Sequence, residues 1–161
     1  MQYKRIGKIA REKIIESQEF RAMRSLTYSD LVNEICKLNS IGGMIRNTPH
    51  RFICLVHKLD SISLIDDVVA EALEDMKPRH IGPSLTANDF KGNVYLLTAF
   101  LLYLRLSVNF HQYRDLIKCF EADFRKITVV NEQNTRFSMY IDVFVDDLLN
   151  KPRVLGICLN I

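Results

Sequence analysis

One stretch of this sequence constrains the fold more than any other: the apolar run at residues 94–104, VYLLTAFLLYL, followed directly by Arg105. Thr98 is its one non-aromatic polar residue, so a helix built from this run is apolar on every side and must be surrounded by other elements. As a helix the run would span only about 16 Å, too short for the ~30 Å of bilayer hydrocarbon. The run therefore predicts a helix buried at the centre of a globular protein.

Amphipathic patterns before and after this run predict the elements that surround it. Apolar residues at helical spacing predict helices over about residues 3–17, 20–24, 28–41, 49–59, 65–73, 89–106, 110–124 and 143–149. Phe124 is expected on the core-facing stripe of the helix over 110–124, and Asp147 is expected to point away from the apolar face of the last helix. A β-branched run, a turn-like NEQNT and a loosely alternating segment predict a small β-hairpin near 126–140. The predicted fold class is all-α: a compact multi-helix domain around a buried central helix near 89–106, with residues 1–161 forming one domain.

Capping residues predict where these helices begin and end. Thr27 is the expected N-cap of the second long helix, and Asp30 stands where a carboxylate completes the cap. Gly42 and Gly43 suit a left-handed C-cap of that helix, although a glycine-rich phosphate loop is the alternative. Further N-caps are predicted at Thr48 before Pro49, at Asn88 or Asp89, and at Asp142, and Pro152 is predicted to start a final short helical turn.

Arg105 directly follows the apolar run, and an unpaired charge at such a buried position costs several kcal/mol. We therefore expect its guanidinium to pair with a carboxylate from another element. Asp142 and Asp123 are the leading candidates.

The sequence offers no strong catalytic or metal-binding constellation. Cys54 and His57 could form a thiol nucleophile and its base, but they lie in a run with core-facing periodicity, which favours packing. The acids Asp142, Asp146 and Asp147 lack further ligands at metal-binding spacing. The four cysteines are widely spaced and are expected to be free core thiols. We expect no enzyme activity, no cofactor and no metal.

Positive charge is concentrated near the N-terminus, whereas the whole chain carries a net charge of only +3. This basic end could contact RNA through Lys4, Arg5, Lys8 and Arg11. The alternative is a solvated helix face with ion pairs between successive turns.

Two segments between predicted helices, near 41–48 and 76–87, carry apolar residues that no periodicity requires to be buried. Apolar side chains beside cations have the composition of protein interfaces, whereas packing of the loops onto the domain itself is the alternative. The candidate protein-binding residues are Met44, Ile45, Arg46, Lys77, Arg79, Ile81 and Leu85.

The order of short motifs is distinctive along nearly the whole chain. It runs R-x-K-I-I-E-S-x-x-F from Arg11, L-T-x-x-x-L from Leu26, G-G at 42 and 43, T-P-x-x-F-I-C-L from Thr48, N-D-F-K from Asn88, Y-L-R-L from Tyr103, D-F-R-K-I from Asp123 and M-Y-I-D-x-F-V-D-D-L-L from Met139. This order resembles the N-terminal domain of the pre-mRNA-processing factor 38 family.

The resemblance implies a nuclear, all-helical and non-enzymatic scaffold of the spliceosome that acts before or during catalytic activation. Partners implied by the family are a small zinc-finger protein, a protein of the microfibrillar-associated type and components of the tri-snRNP, with the chain a monomer within a large complex. The family's Arg/Ser-rich tail does not follow, which implies a minimal member. Tyr140 stands where a histidine is common, the Gly42–Gly43 turn is shorter than usual and the loop at 76–87 is enlarged.

Overall fold

The computed structural model describes residues 6–62, 64–77 and 92–159. Helices dominate these ranges, and the sheets are three small antiparallel hairpins, β1–β2, β3–β4 and β5–β6. In chain order the elements are α1 (Lys8–Glu16), α2 (Gln18–Ala22), α3 (Tyr28–Cys36), β1 (Met44–Ile45), β2 (Thr48–Pro49), α4 (Arg51–Ser61), α5 (Asp66–Met76), α6 (Val94–Arg105), α7 (Phe110–Lys118), β3 (Lys126–Val130), β4 (Arg136–Tyr140), α8 (Ile141–Asn150), β5 (Arg153–Val154) and β6 (Ile157–Cys158). The predicted mainly α-helical fold class is confirmed.

The apolar run forms α6, the central helix. Every residue from Leu96 to Arg105 is buried, and α3, α4, α5, α7, α8 and β3 pack around it. Asn93 caps the helix: its Oδ1 accepts from the backbone N–H groups of Tyr95 at 3.0 Å and Leu96 at 2.9 Å. The predicted start near residue 89 is wrong, because the helical backbone begins only after Asn93. Asn88 and Asp89 lie outside the described residues.

Polar side chains near the start of α5 and the end of α6 fix the packing of these helices. Tyr103, within the core, donates its hydroxyl hydrogen to the Leu64 carbonyl at 2.7 Å. Asp66 accepts a hydrogen bond from the Ser107 hydroxyl, and Asp67 accepts one from the Tyr113 hydroxyl at 2.7 Å. The acidic first turn of α5, expected from the helix dipole, is therefore also the attachment to the α6–α7 corner.

The predicted N-cap of α3 is confirmed, whereas that of α4 is not. Thr27 and Asp30 form a reciprocal capping box, with Asp30 Oδ2 accepting from the Thr27 N–H at 2.9 Å. Thr48 and Pro49, however, form strand β2, and α4 begins at Arg51 after the cap residue His50. His50 Nδ1 accepts from the Phe52 N–H at 3.0 Å, which satisfies one of the free donors of the first turn.

Gly42 and Gly43 do not form the predicted C-cap. Helix α3 ends earlier, at Cys36, and both glycines have negative φ. A Cβ added at Gly43 would collide with the carbonyl oxygen of Leu155, and one at Gly42 would lie 2.9 Å from the His50 ring. Gly43 is therefore needed for the close approach of the β5–β6 hairpin and Gly42 for that of the His50 ring, and neither is needed for a left-handed turn.

The C-terminal third contains one confirmed element and two corrections. The β3–β4 hairpin has the predicted position, with Lys126 opposite Tyr140. Helix α8 begins at Ile141 with Tyr140 as its cap residue, so Asp142 lies inside the first turn rather than at the cap. Pro152 precedes not a helical turn but the β5–β6 hairpin, in which Val154 pairs with Ile157.

Three further expectations about exposure are wrong. Phe124, placed on a core stripe, is 68% exposed because α7 already ends at Lys118. Asp147, expected to point into solvent, is buried and forms an ion pair with Lys151 at 2.9 Å. Two of the four free cysteines, Cys119 and Cys158, are exposed rather than in the core.

None of the helices in the described ranges has the length and apolar character needed to cross a membrane.

Candidate protein-binding surface

The first candidate binding loop, at residues 41–48, is an ordered hairpin. Met44 and Ile45 form β1, Met44 is only 8% exposed, and Ile45 is half-buried. Arg46 and Asn47 form the two-residue turn with φ values of 47° and 64°. Positive φ at both central residues is the signature of a type I′ hairpin turn. The prediction that Met44 is an exposed loop residue is therefore wrong, whereas Arg46 is exposed.

A groove of about 540 Å³ lies between α1 and the ends of the hairpins. We call it the α1–hairpin groove. Its lining residues are Gly7, Lys8, Ile9, Ala10, Lys13, Met44, Arg46, Asn47, Glu132, Arg153, Gly156 and Cys158. The groove brings together Met44 and Arg46, predicted to bind protein, with Lys8, predicted to contact RNA.

Sequence reasoning missed the remaining walls of this groove. Ile9 is 71% exposed and lies off the apolar face formed by Ile6, Ala10 and Ile14. An isoleucine out of phase with a helical stripe is a signal that could have identified this surface. No sequence pattern indicated that Arg153 lines the groove, because it reaches the groove only through the β5–β6 hairpin.

Of the four basic residues predicted to contact RNA, the two that the structure describes have different surroundings. Lys8 lines the α1–hairpin groove, whereas Arg11 is half-buried. Burial lowers the pKa of the His57 imidazole, and the positive charge of Arg11 lowers it further. Lys4 and Arg5 lie outside the described residues. The predicted RNA contacts at these four positions remain a prediction.

A second surface depression, of about 410 Å³, is lined by Ile15, Glu16, Phe20, Arg21, Arg24 and Lys58. We call it the α2 cleft. Its cations come from α2, from the residues after it and from α4, and Lys58 Nζ lies 6.0 Å from the centre of the Phe20 ring. The cleft therefore combines three cations and one carboxylate, Glu16, with the apolar side chains of Ile15 and Phe20.

A third depression, of about 260 Å³, opens between α3 and α5 above the central helix. Tyr28, Val32, Met76 and Phe100 contribute most of its apolar lining. Lys77, from the second candidate binding loop, directly follows Met76 at the end of α5 and forms an ion pair with Glu74 at 2.5 Å. The other three candidates in that loop, Arg79, Ile81 and Leu85, lie outside the described residues.

Cys54 and His57 do not form a nucleophile and base. Burial raises the pKa of the Cys54 thiol to about 11, so the thiolate needed for nucleophilic attack is scarce at neutral pH. The Cys54 sulfur lies 3.8 Å from the Ser17 hydroxyl oxygen. His57 is buried against Phe20, with ring centres 5.3 Å apart. Both residues are packing residues of α4, as the alternative interpretation held.

The predicted pairing of Arg105 with Asp123 or Asp142 is wrong. Asp123 is bound instead by Arg125, whose Nη2 lies 2.6 Å from Asp123 Oδ2. Arg105 donates from Nε to the Leu148 carbonyl oxygen at 2.7 Å, and its guanidinium carbon lies 4.4 Å from the centre of the Phe110 ring. The sequence could not distinguish a carboxylate from a backbone carbonyl and an aromatic face, because all three stabilise a buried guanidinium.

Within residues 6–62, 64–77 and 92–159, no three His, Cys, Asp or Glu side chains are grouped so that they could hold a metal ion. Asp142, considered as a ligand, has its Oδ1 buried without a hydrogen-bond partner in this part of the chain. Asp146 accepts instead a hydrogen bond from Asn150 at 2.8 Å.

The fold and these surfaces define a mainly helical domain with a solid core and open surface grooves, a form suited to binding other macromolecules. The chain belongs to the PRP38 family: the family model matches residues 2–161. This match confirms the resemblance inferred from the short motifs.

The similar proteins include pre-mRNA-splicing factor 38A of Homo sapiens, which is 28% identical over 159 residues covering 96% of this chain and 46% of that protein. The factor 38A of Danio rerio is 30% identical over 162 residues, covering 96% of this chain and 45% of that protein. The chain therefore spans a little under half the length of the curated relatives it matches.

A solved structure has the same fold. The Snu23-Prp38-MFAP1(217-258) complex of Chaetomium thermophilum contains a chain that matches with a TM-score of 0.79 and 26% sequence identity. The match covers 97% of this chain and 75% of that one. In that crystal structure, a protein with this fold is part of a complex that contains Snu23, Prp38 and a segment of MFAP1.

Proposed function

We propose that this protein is a pre-mRNA splicing factor, a non-enzymatic scaffold of the spliceosome that acts in the nucleus before or during catalytic activation. One observation carries the proposal: a relative with the same fold is assembled with Snu23 and a segment of MFAP1. Its partners are the corresponding proteins of its own organism, a zinc-finger protein and a protein of the microfibrillar-associated type, together with tri-snRNP components. Residues 1–161 act as one helical domain.

The geometry supports binding over catalysis. Cys54 and His57 of α4 are buried, and burial raises the pKa of the Cys54 thiol so that it is hard to deprotonate. The surface of the described residues includes open depressions of about 260 to 540 Å³. Depressions of this size accept a few side chains of a helix or an extended segment, which is how short peptide segments dock on domains.

The experiment is affinity purification of the tagged full chain from nuclear extract, with identification of bound proteins and small nuclear RNAs. We expect the Snu23-type and MFAP1-type proteins and tri-snRNP components in the bound fraction. A matched control is Leu101→Asp, which places a charge inside the core helix and should abolish folding and capture together. Recovery of the folded chain without any spliceosomal protein would contradict the proposal.

Direct RNA contact is the second candidate function, and the α2 cleft favours it. Arg21, Arg24 and Lys58 surround Phe20 there, a combination of cations and an aromatic ring that can hold a phosphate backbone and a base. Because the net charge of the chain is only +3, we propose weak, salt-sensitive and sequence-indifferent binding.

Fluorescence anisotropy with labelled oligoribonucleotides of two unrelated sequences, at about 50 and 200 mM salt, tests this second function. Arg21→Glu with Arg24→Glu should abolish binding if the cleft is responsible. Lys8→Glu with Arg11→Glu should do so if the residues predicted from sequence are responsible. Submicromolar, sequence-selective binding at about 150 mM salt would contradict the expectation of weak contact.

A further inference from the structure

The α1–hairpin groove carries an excess of positive charge that the described chain does not neutralise. Lys8, Lys13, Arg46 and Arg153 line it against one carboxylate, Glu132, which is already bonded to Arg153. Lys8 lies 3.9 Å from the Glu12 carboxylate, with both side chains largely exposed, and such pairs contribute little. Among the described residues Lys13 has no ion pair.

The cation Arg46 lies in a hairpin turn whose backbone is fixed by hydrogen bonds to other segments. Arg46 and Leu155, neither of them glycine, adopt φ values of 47° and 54° in the two hairpin turns. Backbone hydrogen bonds to other segments stabilise both turns. Met44 donates its N–H to the Leu155 carbonyl at 3.0 Å, and Arg46 donates its N–H to the Glu132 carbonyl at 3.0 Å. These hydrogen bonds fix the backbone of the turn that carries Arg46, which lines the groove.

The groove also has an apolar component. Ile9 is 71% exposed at its edge, and Met44 forms part of its floor. An exposed aliphatic side chain surrounded by cations matches the composition of an interface, with an apolar centre and a polar rim. The groove, at about 540 Å³, is within the size range of specific binding sites.

These features discriminate between possible occupants. RNA would complement the charge, but aliphatic Ile9 and Met44 offer no aromatic surface on which bases stack. The first five residues of the chain carry Lys4 and Arg5, the same sign of charge as the groove. An acidic protein segment complements both the charge and the apolar surface.

We infer that the α1–hairpin groove binds an acidic segment of a partner protein, with its carboxylates facing Lys8, Lys13 and Arg46 and an apolar side chain against Ile9. The carboxylates form charge-assisted hydrogen bonds with the rim. The apolar side chain excludes water from the centre. The inference rests on the proposed function, since it assumes that the chain binds other proteins.

Site-specific photocrosslinking in the full chain tests the inference. The photoreactive residue p-benzoylphenylalanine replaces Ile9 in the groove or, as a matched control, Val68, which is exposed on α5 and does not line the groove. After irradiation in nuclear extract, mass spectrometry identifies the attached peptides. We expect the Ile9 position to capture a segment in which Asp and Glu clearly outnumber Lys and Arg, and the Val68 position not to capture it.

The captured segment is then synthesised, and its affinity for charge variants is measured by calorimetry. Lys8→Glu with Lys13→Glu should weaken binding by about tenfold or more, since each reversal replaces an attraction by a repulsion. Lys8→Arg with Lys13→Arg should retain binding. Arg114→Glu with Lys118→Glu, the same charge change on exposed positions of α7, should leave the affinity within about twofold.

Crosslinks from Ile9 to RNA, to a second copy of the chain, to its own N-terminus or to a neutral or basic segment would overturn the inference. Unchanged affinity of the Lys8→Glu, Lys13→Glu variant would also overturn it. If spliceosomal proteins co-purify while Ile9 captures no acidic segment, only this inference fails. If no spliceosomal protein co-purifies with the folded chain, the proposed function fails with it.

Discussion

His57 makes the stability of this protein depend on pH, and the substitution His57→Phe isolates the effect. The imidazole is 9% exposed, with Nδ1 buried and without a hydrogen-bond partner among the described residues. Burial, with a contribution from the positive charge of Arg11, lowers the pKa of His57 to about 4 from its ordinary value of about 6.5. Phenylalanine keeps the ring beside Phe20 and removes the titrating group.

The sign of the pH effect on stability depends on whether the folded or the unfolded chain binds a proton at His57 first. As the pH falls, the unfolded chain binds a proton at His57 near pH 6.5 and the folded chain only near pH 4, so protonation favours unfolding throughout this window. The full stability is present above about pH 6.5 and is lost on acidification. With these two pKa values, the loss between pH 7 and pH 5 is about 2 kcal/mol, a substantial share of a typical 5–15 kcal/mol.

The assay is urea unfolding followed by circular dichroism at about pH 7, 6 and 5. We expect the free energy of unfolding of the parent to fall by about 2 kcal/mol more than that of His57→Phe over this range. Titration of His50 and of the carboxylates affects both proteins and cancels in the comparison. His111→Phe, which removes an exposed histidine on α7, is the matched control and should retain the parental loss. A difference between parent and His57→Phe that does not change with pH would refute the reasoning.

Three further substitutions test the architecture by urea unfolding. Gly43→Ala should cost about 1–3 kcal/mol because its Cβ meets a hairpin carbonyl, whereas Gly7→Ala, with open space around its Cβ, should cost much less; equal effects would contradict the close approach. Arg105→Met should cost about 2–4 kcal/mol, since it strands the buried Leu148 carbonyl and removes the contact with an aromatic face; an unchanged stability would mean that this contact contributes nothing. Thr27→Ala should cost about 1 kcal/mol by removing the capping box, and no loss would show that solvent replaces the cap.

The sequence predicted the elements that have a strong periodic signal. The run that forms α6 could only be a buried helix, and the capping box is local enough to be identified from two residues three positions apart, Thr27 and Asp30. The β3–β4 hairpin was predictable because a β-branched run, a turn segment and a loosely alternating run follow one another there. In each case the physical cause lies within one contiguous stretch.

The candidate site was only partly predictable because its parts are distant in sequence. The strands of the β1–β2 and β5–β6 hairpins have two residues each, too few for any period. Their turns also lack the usual Asn-Gly signal, since Arg46-Asn47 and Leu155-Gly156 take the positive φ values. Arg46 was found as a cation beside apolar residues, but its place in the same groove as α1 depends on tertiary packing.

Depletion and add-back in a splicing extract tests the central claim most directly. The extract is depleted of this protein, supplied with a labelled pre-mRNA and then restored with the purified chain. If the chain is a scaffold needed before catalytic activation, the unspliced precursor should accumulate without products of the first step, and add-back of the folded chain should restore splicing. Normal splicing in the depleted extract, or accumulation of the lariat intermediate, would contradict the account.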